Sequence, residues 1–352
     1  MRAPRAGQLR VRPVHLIMLT AAAFLLADLA IVWVGAQGDF AFDFTCCYQQ
    51  AADRALTAPS TLYEWSDGYT FRYTPIGALV FTPLVGLTPD AAAWAWLVVK
   101  LLILAGTAAW FARPWALEHR WLVAGLVVTF PPIVHDLVIG NVSTLTLLAL
   151  LAVARWPGAR AGLVLGLLTV LMPKPHLVPI LAYLAIRRPR DFAYSLATIA
   201  GGVLVGVAIF GLDPWLEFIG TLREPLERTF TANVGWSGLL GPPGVVVGFA
   251  LAAVAFGAAV LAGGARGYGL SIIAGILAGP YTFIHYLAGT LVAVEPILRV
   301  RPRRLWPFPW LLVVFPLIPL WVTALGGVLW ATPHVEPDGE REAAAPPAAE
   351  RG

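Results

Sequence analysis

The residues able to do chemistry in this chain are few, because an ionisable side chain set between long apolar runs costs about 2–3 kcal/mol or more unless it is solvated or paired. Asp43 follows the first apolar run and opens the stretch DFTCCYQQAADRAL. A carboxylate there could take a proton from a hydroxyl, or could cap the helix that the spacing of Phe44, Cys47, Ala51 and Ala55 predicts. Asp39, four residues earlier, competes for the first role. Lys174, in LMPKPHL, is one of only two lysines. Between two apolar runs it suits a phosphate or diphosphate headgroup, or is a lysine snorkelling to the interface. His176 stands beside it, either assisting or capping the turn. Arg72, in FRYTP, precedes a proline-led apolar run and again suits an anionic group. His285, in GPYTFIHYLAG, signals a polar cavity or a core histidine satisfied by a carbonyl. His135, Asp136 and Asn141 surround an apparent turn in PPIVHDLVIGNVST; the Asn-x-Ser match there is read as chance. Asp28 and Lys100 fall inside predicted spans and could pair with each other.

The elements that must hold these residues are membrane helices. The chain has 352 residues, 59% hydrophobic and 12% charged, with a mean hydropathy of +0.75, too apolar for a soluble globular domain. Residues 1–331 read as one membrane domain, and 332–352, rich in Pro, Ala and Glu, as a disordered tail. The net charge of +4 comes from arginines clustered between apolar runs, which is a topology signal and excludes nucleic acid as a partner. Cys46 and Cys47 are adjacent, poor geometry for a structural bridge, and offer no metal-ligand spacing. A Walker loop, a dinucleotide glycine fingerprint, HExxH and GxSxG are all absent, so no soluble cofactor is implied.

Topology follows from charge. A basic N-terminus precedes a 14–36 apolar run, longer than a signal-peptide core and read as a retained first helix. The 37–74 segment carries Asp39, Asp43, Asp53, Glu64 and Asp67 against Arg54 and Arg72, and so belongs outside. Within it we expect a short interfacial helix headed by Asp43, then an aromatic return through Tyr63, Trp65, Tyr69, Phe71 and Tyr73. Apolar runs follow at 75–87, 90–112, 119–134, 141–155, 161–172, 176–187, 192–212, 238–262, 267–281, 283–298 and 308–331. Arg155, Arg160, the 187–190 cluster, Arg266 and the 299–304 cluster should all be cytoplasmic. If 75–87 and 90–112 both cross, these arginines land outside, so one segment here, or one later pair, must be re-entrant or miscounted. The expected count is 10 to 12 helices, with proline breaks near Pro131-Pro132 and Pro173-Pro175 lining a cavity.

From Asp43 to Pro296 the order of motifs resembles glycosyltransferase family 87, the polyprenol-phosphate-mannose-dependent mannosyltransferases with the many-helix GT-C architecture. The residues are Asp43-Phe44, Tyr48, Ala51-Ala52, Phe71-Arg72-Tyr73-Thr74-Pro75, Pro83-Leu84, Gly140-Asn141-Val142-Ser143, Lys174, and Gly279-Pro280 with His285-Tyr286; Asn233 to Ser237 echo an Asn-x-Ser stretch. Thr74, Asn141 and Gly279 depart from the family's proline, glutamine and serine. The resemblance implies an all-α polytopic bundle and an inverting hexosyltransferase with Asp43 as base. It implies a polyprenyl-phosphate sugar donor whose phosphate meets Lys174, Arg72 and His285. Tyr48, Tyr73, Asn141, His176 and Tyr286 would line the substrate site, and a lipid-linked or cell-envelope glycan would be the acceptor. The place would be the extracytoplasmic face of a bacterial-type plasma membrane, among membrane lipids; no metal ligands are implied, and metal dependence is left open. A transporter or flippase of a lipid-linked substrate, with Lys174 on its pathway, is the competing class, and a structural assembly factor a third.

Overall fold

The computed structural model describes residues 13–36, 40–64, 70–222, 233–300 and 317–332. Asp39, Trp65, Asp67, Tyr69, the arginines at 301–304 and residues 333–352 of the proposed tail lie outside the described residues, whereas its first residue, Thr332, is buried. Among the described residues every regular element is helical, as an all-α membrane protein requires where backbone groups must be satisfied within each segment.

Helix α1 spans Pro13–Ala36. A single π-turn, Phe44–Tyr48, leads into α2, Gln49–Thr57. Next come α3, Pro75–Ala78, α4, Pro89–Ala112, α5, Leu117–Val128, and α6, Pro131–Ile139. Then follow α7, Ser143–Arg155, α8, Ala159–Leu171, α9, Val178–Arg187, and α10, Pro189–Phe210. The chain continues with α11, Asp213–Thr221, α12, Trp236–Leu240, α13, Pro242–Ala262, α14, Gly264–Ala278, α15, Thr290–Val300, and α16, Ile318–Trp330.

Helices α4, α10 and α13 are each long and apolar enough to cross a bilayer. The α5–α6 pair bends by 47° where Pro131 and Pro132 start the second helix, since proline cannot continue the first one's hydrogen-bond ladder. The other apolar helices are shorter and pack between these. Helix α14 is buried along Gly267–Leu277, as expected of a helix apolar on all sides. Helices α8 and α10 approach closely because Gly162 and Gly166, one turn apart, leave room for the backbone of Asp191 and Ser195 and the side chain of Thr198.

The 75–87 run, one of the segments behind the parity conflict, is short. It folds as the four-residue α3 followed by a 3-10 turn, Leu79–Leu84, containing Pro83. At about 1.5–2 Å per residue it reaches roughly 15–20 Å, short of a ~30 Å hydrocarbon core.

The helices carry different chemistry at their two ends. At one end Arg155 pairs with Glu295 and Arg188 with Asp191, Arg188 also donates to the Val153 carbonyl at 3.2 Å, and Arg266 donates to the Thr332 carbonyl at 2.5 Å. The other end of α7, α8 and α9 gathers Asn141, Ser143, Lys174 and His176.

Candidate active site

The site is built on the turn between α6 and α7. Gly140 ends α6 with φ of +75°, a left-handed conformation cheap only for glycine. A Cβ there would stand 2.9 Å from that of Phe44 and 3.1 Å from the Cα of Ala41, so the turn is also where the first polar loop docks. The Ala41 amide donates to the Val138 carbonyl at 2.8 Å. Ala41 itself has φ of +56° and is the one described non-glycine residue with positive φ. That conformation costs about 1–2 kcal/mol, held two residues before Asp43.

Asp43 precedes the π-turn but makes no side-chain cap, which corrects the N-cap alternative. Its Oδ2 instead accepts from Asn141 Nδ2 at 2.6 Å. The same Nδ2 donates to the Tyr48 hydroxyl at 3.0 Å, and that hydroxyl lies 3.1 Å from the Tyr73 hydroxyl. On the other side of Asn141, Oδ1 accepts from Lys174 Nζ at 3.1 Å, and Lys174 also donates to Ser143 Oγ at 3.2 Å. One amide therefore links a carboxylate to an ammonium. Burial raises the Asp43 carboxyl above the ordinary aspartate value, opposed by the Asn141 hydrogen bond and by the charge of Lys174. Burial pushes Lys174, in the break after α8, down to about 8, opposed by Asp136 and Asp43.

Lys174 Nζ also lies over the Tyr286 ring, 4.6 Å from its centre, a cation–π arrangement. His176 and His285 face the same ring at centroid distances of 5.1 and 4.7 Å. His135 stacks on His285 at 5.5 Å. Both ring nitrogens of His285, and Nδ1 of His176 and His135, have no hydrogen-bond partner among the described residues. Buried polar atoms are normally satisfied, so these rings present donors to whatever enters between them and Lys174.

Eight of the nine sequence-derived residues thus form one cluster: Asp43, Tyr48, Tyr73, Asn141, Lys174, His176, His285 and Tyr286. Arg72 stands at its edge: its charge is within electrostatic reach of Tyr286, and its Nη1 donates to the Thr221 carbonyl at 2.9 Å, which fastens the aromatic return to the end of α11. Ser143 and His135 are the additions. Ser143 had no chemical signal of its own, and His135 was visible as a histidine near a turn but not as the stacking partner of His285. The proposed Asp28–Lys100 pair does not form. Lys100 pairs instead with Asp136 at 2.8 Å, because both lie beneath the Asn141 turn, whereas Asp28 Oδ1 is buried without a partner among the described residues.

The cysteines also differ from expectation. Cys46 and Cys47 are joined by a disulfide, their Cα atoms 3.8 Å apart. Adjacency lets the bond close a small ring inside the π-turn, so it stiffens one turn instead of stapling distant segments. Among the described residues no three of His, Cys, Asp and Glu converge as metal ligands.

Comparison with known proteins found no match among curated proteins and none among solved structures. A match was found to a family profile, Glycosyltransferase family 87, over residues 71–281. It takes in Tyr73, Asn141, Lys174 and His176, and starts after Asp43 and ends before His285, a narrower extent than the motif order suggests. Covering more than half of the 352 residues, it makes this chain a member of glycosyltransferase family 87.

Proposed function

We propose that this glycosyltransferase is an inverting, GT-C-type hexosyltransferase, an α-mannosyltransferase, that uses a polyprenyl-phosphate sugar and works on the extracytoplasmic face of a bacterial-type plasma membrane. The observation that carries the reading is the bridge Asp43–Asn141–Lys174, which sets a base and a cation on either side of a single amide. Asp43 removes the proton from an acceptor hydroxyl. The freed oxygen attacks the anomeric carbon from the face opposite the phosphate, the bond from that carbon to the phosphate oxygen breaks, and the electron pair leaves with the phosphate. Lys174 meets the developing charge as a fixed cation, and His285 and His176 supply N–H donors in a site that excludes water. Tyr48, Tyr73 and Tyr286 present the flat, hydroxyl-bearing walls that a pyranose ring fits.

Extracytoplasmic placement is supported by the arginines. Arg155, Arg188 and Arg266 sit at the end of the bundle opposite the site, and the positive-inside rule assigns that end to the cytoplasm. A lipid-anchored donor fits a site flanked by membrane-spanning helices, because its phosphate can reach Lys174 while its tail stays in hydrocarbon. The acceptor is then a lipid-linked or cell-envelope glycan hydroxyl.

The test is transfer from a labelled polyprenyl-phosphate mannose in detergent by Asp43→Asn and Asp43→Ala. Loss of a general base lowers the rate by about 10²–10⁴-fold. Wild-type rates in both variants would overturn the assignment, and a preference for another hexose on the same carrier would overturn mannose alone.

A further inference from the structure

Beneath the site lies a second charged pair that the reaction as drawn does not use. Lys100 on α4 and Asp136 on α6 are 1% and 0% exposed, with Nζ and Oδ2 2.8 Å apart. An ion pair at such depth is tolerated only when the remaining lone pairs are also satisfied. Those of Asp136 are. Its Oδ1 accepts from the Ser143 amide at 2.7 Å, and Oδ2 accepts from the Thr144 amide at 3.2 Å and the Thr144 hydroxyl at 2.6 Å. The carboxylate therefore sits on the first amides of α7, where negative charge is favoured. The Asp136 carbonyl accepts from the Asn141 amide at 3.2 Å and from Lys100 Nζ.

One turn earlier on α4, Trp96 Nε1 donates to the Gly140 carbonyl at 2.8 Å. Trp96 and Lys100 thus face the 136–144 turn together and grip it at two points. On the opposite side of the turn, Asn141 holds Asp43 and Lys174. The Asp43 carboxylate has no hydrogen bond to Lys100 or Asp136 among the described residues; their charges act on it directly and in opposite senses, Asp136 raising and Lys100 lowering its pKa, and any effect on its position passes through the turn.

We propose that Lys100 and Asp136 are positioning residues for glycosyl transfer: the pair locks the Gly140–Asn141 turn so that the Asn141 amide keeps Asp43 and Lys174 in register with the same reacting atoms. The inference rests on reading the Asp43–Asn141–Lys174 cluster as the transfer site. A pair that only stabilises the bundle changes how much protein is folded and leaves each folded molecule's chemistry alone. A positioning pair changes kcat and the ionisation of Asp43 while the protein stays folded.

The experiment uses the full chain in detergent with a polyprenyl-phosphate mannose donor and the variants Asp136→Asn, Lys100→Met and Lys100→Arg. Misplacement of a reacting group by about 1 Å costs on the order of 100-fold, so Asp136→Asn and Lys100→Met should lower kcat by roughly that factor with donor and acceptor KM nearly unchanged. Lys100→Arg, which keeps the charge, should recover a measurable part. Amide hydrogen exchange over residues 140–145 should quicken in Asp136→Asn with the rest of the chain unaltered. The diagnostic is the acid limb of the pH–rate profile in Asp136→Asn: losing the Asp136 charge alone would move it down, whereas losing the Asn141 hydrogen bond that favours ionised Asp43 moves it up, so an upward shift is expected and a downward one overturns the proposal. Besides Lys100 and Asp136 themselves, the groups facing Asp43 stay in place: Lys174 after α8, Tyr48 and Tyr73 from the first polar loop, and Tyr286 in the 3-10 turn Ile284–Gly289.

Should the charged-pair variants fail to fold, Trp96→Phe removes the donor to Gly140 while retaining an aromatic ring, and should give the same upward limb shift with a smaller fall in kcat. Losses that merely follow the folded fraction, with the acid limb fixed, would overturn the proposal, as would wild-type kcat. If Asp43→Asn is inactive while the clamp variants behave as wild type, the positioning role alone fails. If Asp43→Asn is fully active, the site reading fails and takes this inference with it.

Discussion

Asn141 spends both ends of one amide on the site, its nitrogen on Asp43 and Tyr48 and its oxygen on Lys174. Removing it in Asn141→Ala deletes a hydrogen bond to a charged group, about 1.5–3 kcal/mol or roughly 10- to 150-fold in kcat/KM. The pH dependence has a defined sign. In the proposed mechanism Asp43 must be ionised and Lys174 charged; activity is then lost as pH falls through the raised Asp43 pKa. By the same mechanism activity is lost as pH rises past about 8, where Lys174 gives up its proton. Asn141→Ala should move the acid limb to higher pH, since the hydrogen bond lowers the Asp43 value against the effect of burial. Lys174→Arg should remove the alkaline limb, because a guanidinium stays protonated through that range. A bell unchanged in both variants would show that other groups govern the profile. In the sequence, Asp43 and Lys174 stood out because charge is rare in an apolar chain. Asn141 was legible only through its place in a motif, since an asparagine near a turn has many reasons to be there.

At the scale of elements, the turn carrying His176 is seated directly on α14. A Cβ on Gly275 would stand 2.1 Å from the His176 carbonyl oxygen and 3.0 Å from its carbonyl carbon. These are backbone atoms and cannot swing aside. Gly275→Ala should therefore push the Pro175–Leu177 turn outward, destabilise the protein by about 1–3 kcal/mol, and lower transfer by displacing Lys174 and His176. Gly106→Ala, in α4 with nothing within 4 Å of the new atom, is the control, where the gain in helix propensity makes it neutral or slightly stabilising. Thermal midpoints of the two variants check this, and equal midpoints would refute the close approach. Most helices were legible as apolar runs, α1 and α4 nearly to the residue. The 75–87 run was not legible as a four-residue helix followed by a 3-10 turn, because hydropathy records how apolar a segment is and carries no record of the backbone's hydrogen-bond pattern. Nor did hydropathy choose the partner of Lys100. Asp28 and Asp136 are both carboxylates in apolar surroundings, and only the packing of α4 beneath the Asn141 turn selects Asp136.

For the whole molecule, taking 75–84 as the segment that does not span leaves a single crossing, α4, between the first polar loop and Arg113. The same alternation then places Arg155, Arg187, Arg188 and Arg266 together and keeps Asp43, Asn141, Lys174 and His285 at the opposite end. This segregation was the part of the architecture that charge alone foretold, since arginine placement follows insertion energetics that depend little on how the helices later pack. It makes a direct prediction in cells. In a Cys46→Ser/Cys47→Ser background, a cysteine at exposed Ser60, beside α2, should react with a membrane-impermeant maleimide on intact cells. A cysteine at exposed Arg160, at the start of α8, should react only after permeabilisation. The reverse pattern would put the Asp43 end in the cytoplasm, where a donor presented from the outer leaflet could not reach it. Labelling of both positions on intact cells would mean that the ends do not lie on opposite sides, and would return the 75–84 segment to the list of crossings.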